Sequence, residues 1–544
     1  MFATTIKNPI SMKRLLPLGL VALFASVAQA AAPGISGPTF NLQAKDGYVT
    51  QPDGQSVYTW GYGCNGAPAG YAPAAIPVTS TFCNAMQLPG PTLIVTEGQT
   101  VSVTLTNNLP AAAGNTSILF PGFTLTSACL AGQQGLLTCE AAPSGTVTYT
   151  FTAGSPGTRA YYSGTQGDLQ VEMGLYGAII VLPSAAVAGT NCTDTLAPVG
   201  ANATAQATWG ESDFRLSTSA YDHAATCYDR EYLFQFSEID PSIHNAASAQ
   251  VLAKAGCVAA AAGCSLNVPT EPYHPAYFLI NGRSMPDDMD PNYAPMYPNQ
   301  PYNGNPHMHP GEMTLLRIIG QGRWQHPFHE HGNHVRILAR DGNLLLTPDN
   351  KLAGPLMFTT TTTPGQAMDG LFYYTGKGLN WDLYGHNPTS SDANAKLPCT
   401  PDANGYNTGA PTAINYFEWC QDHNKPMQAA PFGDVASGGP VTLPDPNIFL
   451  NGTWYGGSPY LGPDANSRAT YGTCTGVGNT TSCSTAGTTP PSGTVANNPS
   501  SEAGFAFMWH SHNEREITTN NIFPGGMLMM MLVDSREFVI DESL

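Results

Sequence analysis

Charged side chains are scarce in this chain, at 11% of 544 residues, and the 20 basic groups are outnumbered by 38 acidic ones. A formal charge of -18 repels nucleic acid and anionic membrane surfaces. With so few charges the surface must be polar through Asn, Thr, Ser, Gln and Gly, a composition unlike that of an acidic disordered tail. No Cys-x-x-Cys occurs, which argues against a thioredoxin-like site and a cysteine-rich zinc site. A Gly-x-Ser-x-Gly elbow and a phosphate-cradling loop are also missing, and isolated acids such as Asp168 and Glu172 form no general-acid pair. There is no fixed-period repeat. Beyond residue 30, no apolar run is long enough to span a membrane.

What is present begins with a secretory pattern. Lys13 and Arg14 precede the apolar stretch Leu15 to Val27, and Ala28-Gln29-Ala30 offers a small-residue cleavage site. Residues 1–30 are therefore expected to be a signal peptide, with the mature chain secreted, periplasmic or at the cell surface. Loss of Lys7, Lys13 and Arg14 makes the remainder more acidic still. All twelve cysteines lie in that remainder, as suits an oxidising compartment. Local disulfides are expected for Cys64/Cys83, Cys129/Cys139, Cys192/Cys227, Cys257/Cys264, Cys399/Cys420 and Cys474/Cys483, although sequence does not determine connectivity.

The chain is written mainly in short β-branched runs broken by Gly, Pro and Asn. Strands are expected at Thr92 to Val95, Thr100 to Thr106, Thr146 to Phe151 and Ala178 to Leu182. A linker is expected from Ser184 to Ala203. Further strands are expected at Tyr277 to Ile280, Met313 to Ile319, Val335 to Ala339, Ala367 to Tyr373 and Gly526 to Val533. Ala246 to Cys264 reads as one short helix. The Gly- and Pro-rich stretch 385–500, with four cysteines, reads as disulfide-tied insertion. The fold class is all-β, with a first sandwich over 36–185 and a second over 204–544.

Two H-x-H pairs carry most of the chemistry: His329 and His331 in HPFHEHGNH, and His510 and His512 in MWHSHNE. Residues two apart on a strand share a face, so each pair presents two imidazoles to one space. If the strands meet, four imidazoles form a metal site; a hydrogen-bonded histidine cluster is the alternative. Glu330 and Ser511 then point to the opposite face. His334 marks a turn or orients a ligand. His307-Met308-His309, bracketed by Pro306 and Pro310, reads as a structural turn, with copper capture at an exposed loop as the sharper alternative. Met527 and Met529 to Met531 are expected to fill a core by alternation.

At this point several motifs resemble the multicopper oxidase family of tandem cupredoxin-like Greek-key β-sandwiches. They are Pro89-Gly90-Pro91-Thr92, Glu97-Gly98-Gln99-Thr100, Thr106-Asn107-Asn108-Leu109-Pro110 and the run Gly174 to Val181, followed by Pro310-Gly311-Glu312, His326 to Gly332 and His510-Ser511-His512. The resemblance covers Thr39 to Pro183, Tyr277 to Phe372 and Gly504 to Val533. It implies a type 1 copper held by one Cys and two His, and a trinuclear cluster held by eight further His. His326 matches a type 1 ligand, and His329, His331, His510 and His512 match cluster ligands. Ser511 stands where the cysteine belongs and Glu516 where another type 1 histidine belongs. In the first sandwich Leu119, Pro121, Tyr162 and Gly164 replace the other four cluster histidines, with Tyr161 and Tyr162 expected to plug the vacated space.

The resemblance thus implies one or two copper ions, with zinc as rival metal, and not a four-copper complement. A hard serine oxygen does not reproduce a blue copper–thiolate centre. His326 and Glu516 form either a second, non-blue site or an ordinary hydrogen bond or salt bridge. Three functions remain open at this stage. One is an exported copper-dependent oxidoreductase serving a small-molecule or protein redox partner, unlike a conventional laccase. The others are copper storage or delivery, and a non-catalytic scaffold that forms homo-oligomers or a surface assembly.

Overall fold

The computed structural model describes residues 32–73, 82–184, 199–211, 213, 215–378, 398–423, 457–460, 474–475, 482–483, 504–534, 536 and 540. The expected signal peptide, most of the insertion and Cys192 lie outside these residues. Among the described residues no helix is long and apolar enough to cross a membrane.

Alternating side chains build two β-sandwiches in tandem. In the first, the strands Tyr71–Ala72, Gly34–Ser36, Leu93–Thr96, Tyr176–Leu182 and Gly157–Tyr162 lie side by side in that order. They face a second sheet ordered Ser56–Cys64, Thr39–Thr50, Thr100–Asn107 and Thr146–Thr152. Thr146–Thr152 shows why these residues form a strand: Val147, Tyr149 and Phe151 enter the core while Thr146, Thr148 and Thr152 face water. The enclosed core holds Trp60, Tyr62, Leu105 and Tyr161 among others.

The second sandwich has one sheet running Tyr277–Ile280, Arg230–Ile239, Met313–Gly320, Ala367–Tyr373, Val335–Arg340 and Asn343–Leu344. Its other sheet runs His307–Met308, Leu528–Asp534, Gly504–Ser511, His326–Glu330 and Thr359–Thr362. Met527, Met529 and Met531 are fully buried and Met530 half-buried, as strand alternation requires. Arg230–Ile239 is buried along its whole length because the first sandwich covers its outer face. There Ile94, Ala160 and Ile180 meet Leu233, Ile319 and Ala367. Polar contacts tie the same interface: Tyr176 donates to Ser237, and Gln321 to the Gly177 carbonyl.

Four expected disulfides are formed, at Cys64–Cys83, Cys129–Cys139, Cys257–Cys264 and Cys399–Cys420. Cys227 is also disulfide-bonded, and Cys474 lies opposite Cys483 in a two-stranded ladder. Two local expectations need correction. The short helix runs Pro241–Ala253, starting before Ala246, because Asp240 caps it by accepting from the Ser242 N–H and Pro241 occupies its first turn. The linker stretch is not wholly irregular, since Val199–Thr208 is helical and Gln206 is anchored to Glu312.

Candidate metal centre

The strands His326–Glu330 and Gly504–Ser511 pair antiparallel with His329 directly opposite His510, and the His512 N–H donates to the Pro327 carbonyl. This register puts both H-x-H pairs on one face. Ring centroids are 4.9 Å apart for His329 and His331, 4.9 Å for His329 and His512, 5.6 Å for His329 and His510, and 5.2 Å for His331 and His510. The Nε2 atoms of His331 and His510 approach to 3.3 Å.

The surroundings disfavour charge on His329 and His510 and orient both rings. Burial, then the charges of His331, His510 and His512, hold His329 down to about 4. Burial also lowers His510. The His510 Nδ1–H donates to the Ser511 carbonyl at 2.6 Å, which leaves its Nε2 lone pair directed elsewhere. Thr359 Oγ1 lies 2.6 Å from His329 Nδ1 and fixes that ring. Imidazoles gathered on one face, two of them braced by outer hydrogen bonds, are a donor set that fits copper or zinc.

The opposite face of the same strands has different chemistry. Glu330 is buried and accepts from Thr360, and burial pushes its carboxyl well up. Ser511 does not act in place of a soft ligand; its hydroxyl donates to Glu516. Glu516 also bonds His326 Nδ1 at 2.9 Å, while His326 Nε2 bonds Glu238 at 2.9 Å. Burial opposes charge on His326, but its hydrogen bonds to the Glu238 and Glu516 carboxylates and their charges raise it to about 9. Both ring nitrogens are therefore committed to carboxylates, which realises the salt-bridge reading of His326 and Glu516. Sequence reasoning missed Glu238, one of five polar residues in a ten-residue strand that is buried along its whole length.

His307-Met308-His309 is not an exposed loop. His307–Met308 pairs parallel with Leu528–Asp534, Met308 is fully buried in the core, and His309 Nε2 lies 2.8 Å from Glu211. Met296 is exposed whereas Met313 is buried. His334 stacks on Phe358 with centroids 3.7 Å apart, and Phe358 in turn lies 6.4 Å from His329.

The replaced ligand positions of the first sandwich stand elsewhere. Leu119 and Tyr162 exchange backbone hydrogen bonds, and the Leu119 side chain fills the space beside Gly164. Pro121 is half-buried in the following turn. Tyr161 is a core residue donating to the Pro91 carbonyl. Leu119, Tyr162 and Gly164 line a cavity of about 280 Å³ with Gln321, Gly322 and Gly365, and none of the four histidines lines it.

Among the described residues, the groups that bring three donor atoms within 4.8 Å of one another lie outside the quartet: Glu211, His309 and Glu312, and Cys399, Glu418 and His423. Together these partial clusters provide for one or two ions rather than a four-copper complement. Each is also engaged in structure. Cys399 is tied to Cys420, and Arg230 pairs with both Glu211 and Glu312.

Comparisons with known proteins match parts of the chain. A family profile described as multicopper oxidase matches residues 71–186. An L-ascorbate oxidase from Brassica rapa subsp. pekinensis is 40% identical over 96 residues, which is 18% of this chain and 16% of that enzyme's length. Similar solved structures include a blue copper oxidase from Nitrosomonas europaea, 14% identical, with 91% of this chain and 85% of that chain covered at a TM-score of 0.41. A copper nitrite reductase from Nitrosomonas europaea is 18% identical, with 62% and 85% covered at a TM-score of 0.35.

Proposed function

We propose that the chain is a divergent, multicopper-oxidase-like, exported copper-binding protein without a complete type 1 and trinuclear ligand set, with its ion on His329, His331, His510 and His512. The observation that carries this reading is the convergence of four imidazoles on one face, two from each segment of one antiparallel strand pair. A copper ion bound there supplies a one-electron couple. The chain's own part is orientation: the Ser511 carbonyl holds the His510 tautomer, Thr359 holds the His329 ring, and the buried strand pair keeps both in register. With Ser511 bonded to Glu516, no thiolate is at hand, so a soluble electron-transfer or storage role is favoured over conventional four-electron oxygen reduction.

Metal analysis after aerobic loading with Cu(II), and anaerobic loading with Cu(I), tests the reading. Bound copper is expected without the intense visible band of a copper–thiolate bond, and replacement of all four histidines by alanine is expected to abolish it. Copper retained by that variant, or a preference for zinc under competition, would overturn the proposal. Thr359→Val is expected to weaken copper binding about 10–100-fold by freeing the His329 ring, read by competition with a chelator of known affinity. An unchanged affinity would show that the hydroxyl does not orient the ligand.

A second reading, a non-catalytic scaffold, is favoured by one specific observation. His326 and the residues in place of the other type 1 ligands, Ser511 and Glu516, join Glu238 in a buried hydrogen-bond network. It predicts the same oligomeric state and stability whether or not the four histidines are present.

A further inference from the structure

Behind the imidazole quartet, several strand ends of the second sandwich leave a cavity of about 410 Å³, within the size range of small-molecule sites. Met313 lies opposite Tyr373, and Leu371 opposite Arg336, so these four side chains share the outer face of the sheet. Leu352 and Leu356 close the apolar side, and Leu356 is 53% exposed, a large apolar group left at the rim.

The polar side is cationic in a chain of formal charge -18. Arg336 uses Nη1 to donate to the Gly354 carbonyl, and its other guanidinium N–H groups have no protein partner among the described residues. Lys351 also lines the cavity but pairs with Asp349 at 3.0 Å. The cavity therefore offers one guanidinium able to take a carboxylate in a fork. Asp349, paired with Lys351, offsets the second positive charge of the lining.

The wall toward the quartet is aromatic. His334 lines the cavity and stacks on Phe358, whose other neighbour is His329. The turn joining His331 to His334 is held by Asn333, which donates to the Tyr373 carbonyl. One short turn thus connects the quartet to the cavity floor.

We propose that this cavity binds a small monoanion with a flat apolar body, an aromatic carboxylate, with its carboxylate on Arg336 and its ring against Met313, Leu371 and Tyr373. The binding stands on the cavity itself; a role for the ligand as electron donor to the adjacent centre rests on the copper reading above.

The test uses benzoate as probe on the full mature chain without metal, by calorimetric titration or ligand-observed NMR. Saturable binding in the millimolar range or tighter is expected, with benzamide at least tenfold weaker and no binding of benzylamine or acetate. Arg336→Met is expected to reduce benzoate affinity at least tenfold, and Arg336→Lys to retain part of it. Leu356→Ser, at an exposed position that should not affect folding, is expected to weaken benzoate binding. Absence of saturable binding, equal binding of benzamide, or indifference to Arg336→Met would overturn the proposal. Benzoate binding should survive His510→Ala even if that variant loses copper, so failure of the cavity and failure of the metal centre are read separately.

Discussion

Arg230→Met is expected to lower the free energy of unfolding by about 3–5 kcal/mol, measured by denaturant titration near neutral pH. Arg230 is fully buried and pairs through Nε with Glu312 and through Nη2 with both Glu312 and Glu211. Burial pushes both carboxyls up, but Arg230, then His309, hold them well below the usual carboxylate range. Removing the guanidinium leaves two buried carboxylates beside His309, with Arg536 still acting on Glu312, which is far costlier than losing a surface pair. The network also accepts from Gln206, in the helix Val199–Thr208, and from the Ile540 N–H. Increased hydrogen exchange at Ile540 and in that helix is therefore expected in the same variant. The sign of the pH dependence follows from the depressed carboxyls. Their stabilisation is present above the unfolded carboxyl range and is lost as pH falls through the folded values. A change below about 1 kcal/mol would place the network in the category of neutral ion pairs.

His326→Leu is expected to cost a similar amount, about 3–5 kcal/mol, because Glu238 and Glu516 would face an apolar side chain in place of two charged N–H donors. Glu238 keeps its bonds from the Arg323 and Trp324 backbone and Tyr273, and Glu516 keeps Ser511 and Asn513. These remaining donors set the lower end of the range. The pH profile separates this effect from lost packing. His326 is raised to about 9 in the folded chain, against about 6.5 for an unperturbed imidazole. Its contribution is fully present below the unfolded value and is lost as pH rises through 9. The wild-type chain should thus lose stability between those limits, and His326→Leu should lack that limb. An identical alkaline limb in the variant would assign it to another group.

Much of the fold was legible because burial in a sandwich has a period of two. Thr146–Thr152 announces its inward Val147, Tyr149 and Phe151 without knowledge of its partners, and Met527, Met529 and Met531 do the same in the second sandwich. Helix limits were less legible. The Asp240-Pro241 start is a local signal that could have been read, whereas the end at Ala253 follows from no sharp breaker in the Ala-rich run. For His307-Met308-His309 the flanking prolines mark a turn equally well at a surface or at a buried edge, so the exposed-loop alternative to a structural turn stays open in the sequence. Pairing with Leu528–Asp534 buries Met308.

The two H-x-H pairs, the absent thiolate at Ser511 and the loss of histidine at Leu119, Pro121, Tyr162 and Gly164 were determined by sequence alone, since side-chain alternation and ligand chemistry are local properties. The meeting of His329 with His510, the closure of Glu238 and Glu516 around His326, and the cavity at Arg336 were decided only by tertiary structure. Strand register between distant segments is set by the burial of whole sheet faces, a sum over many residues that no local pattern contains.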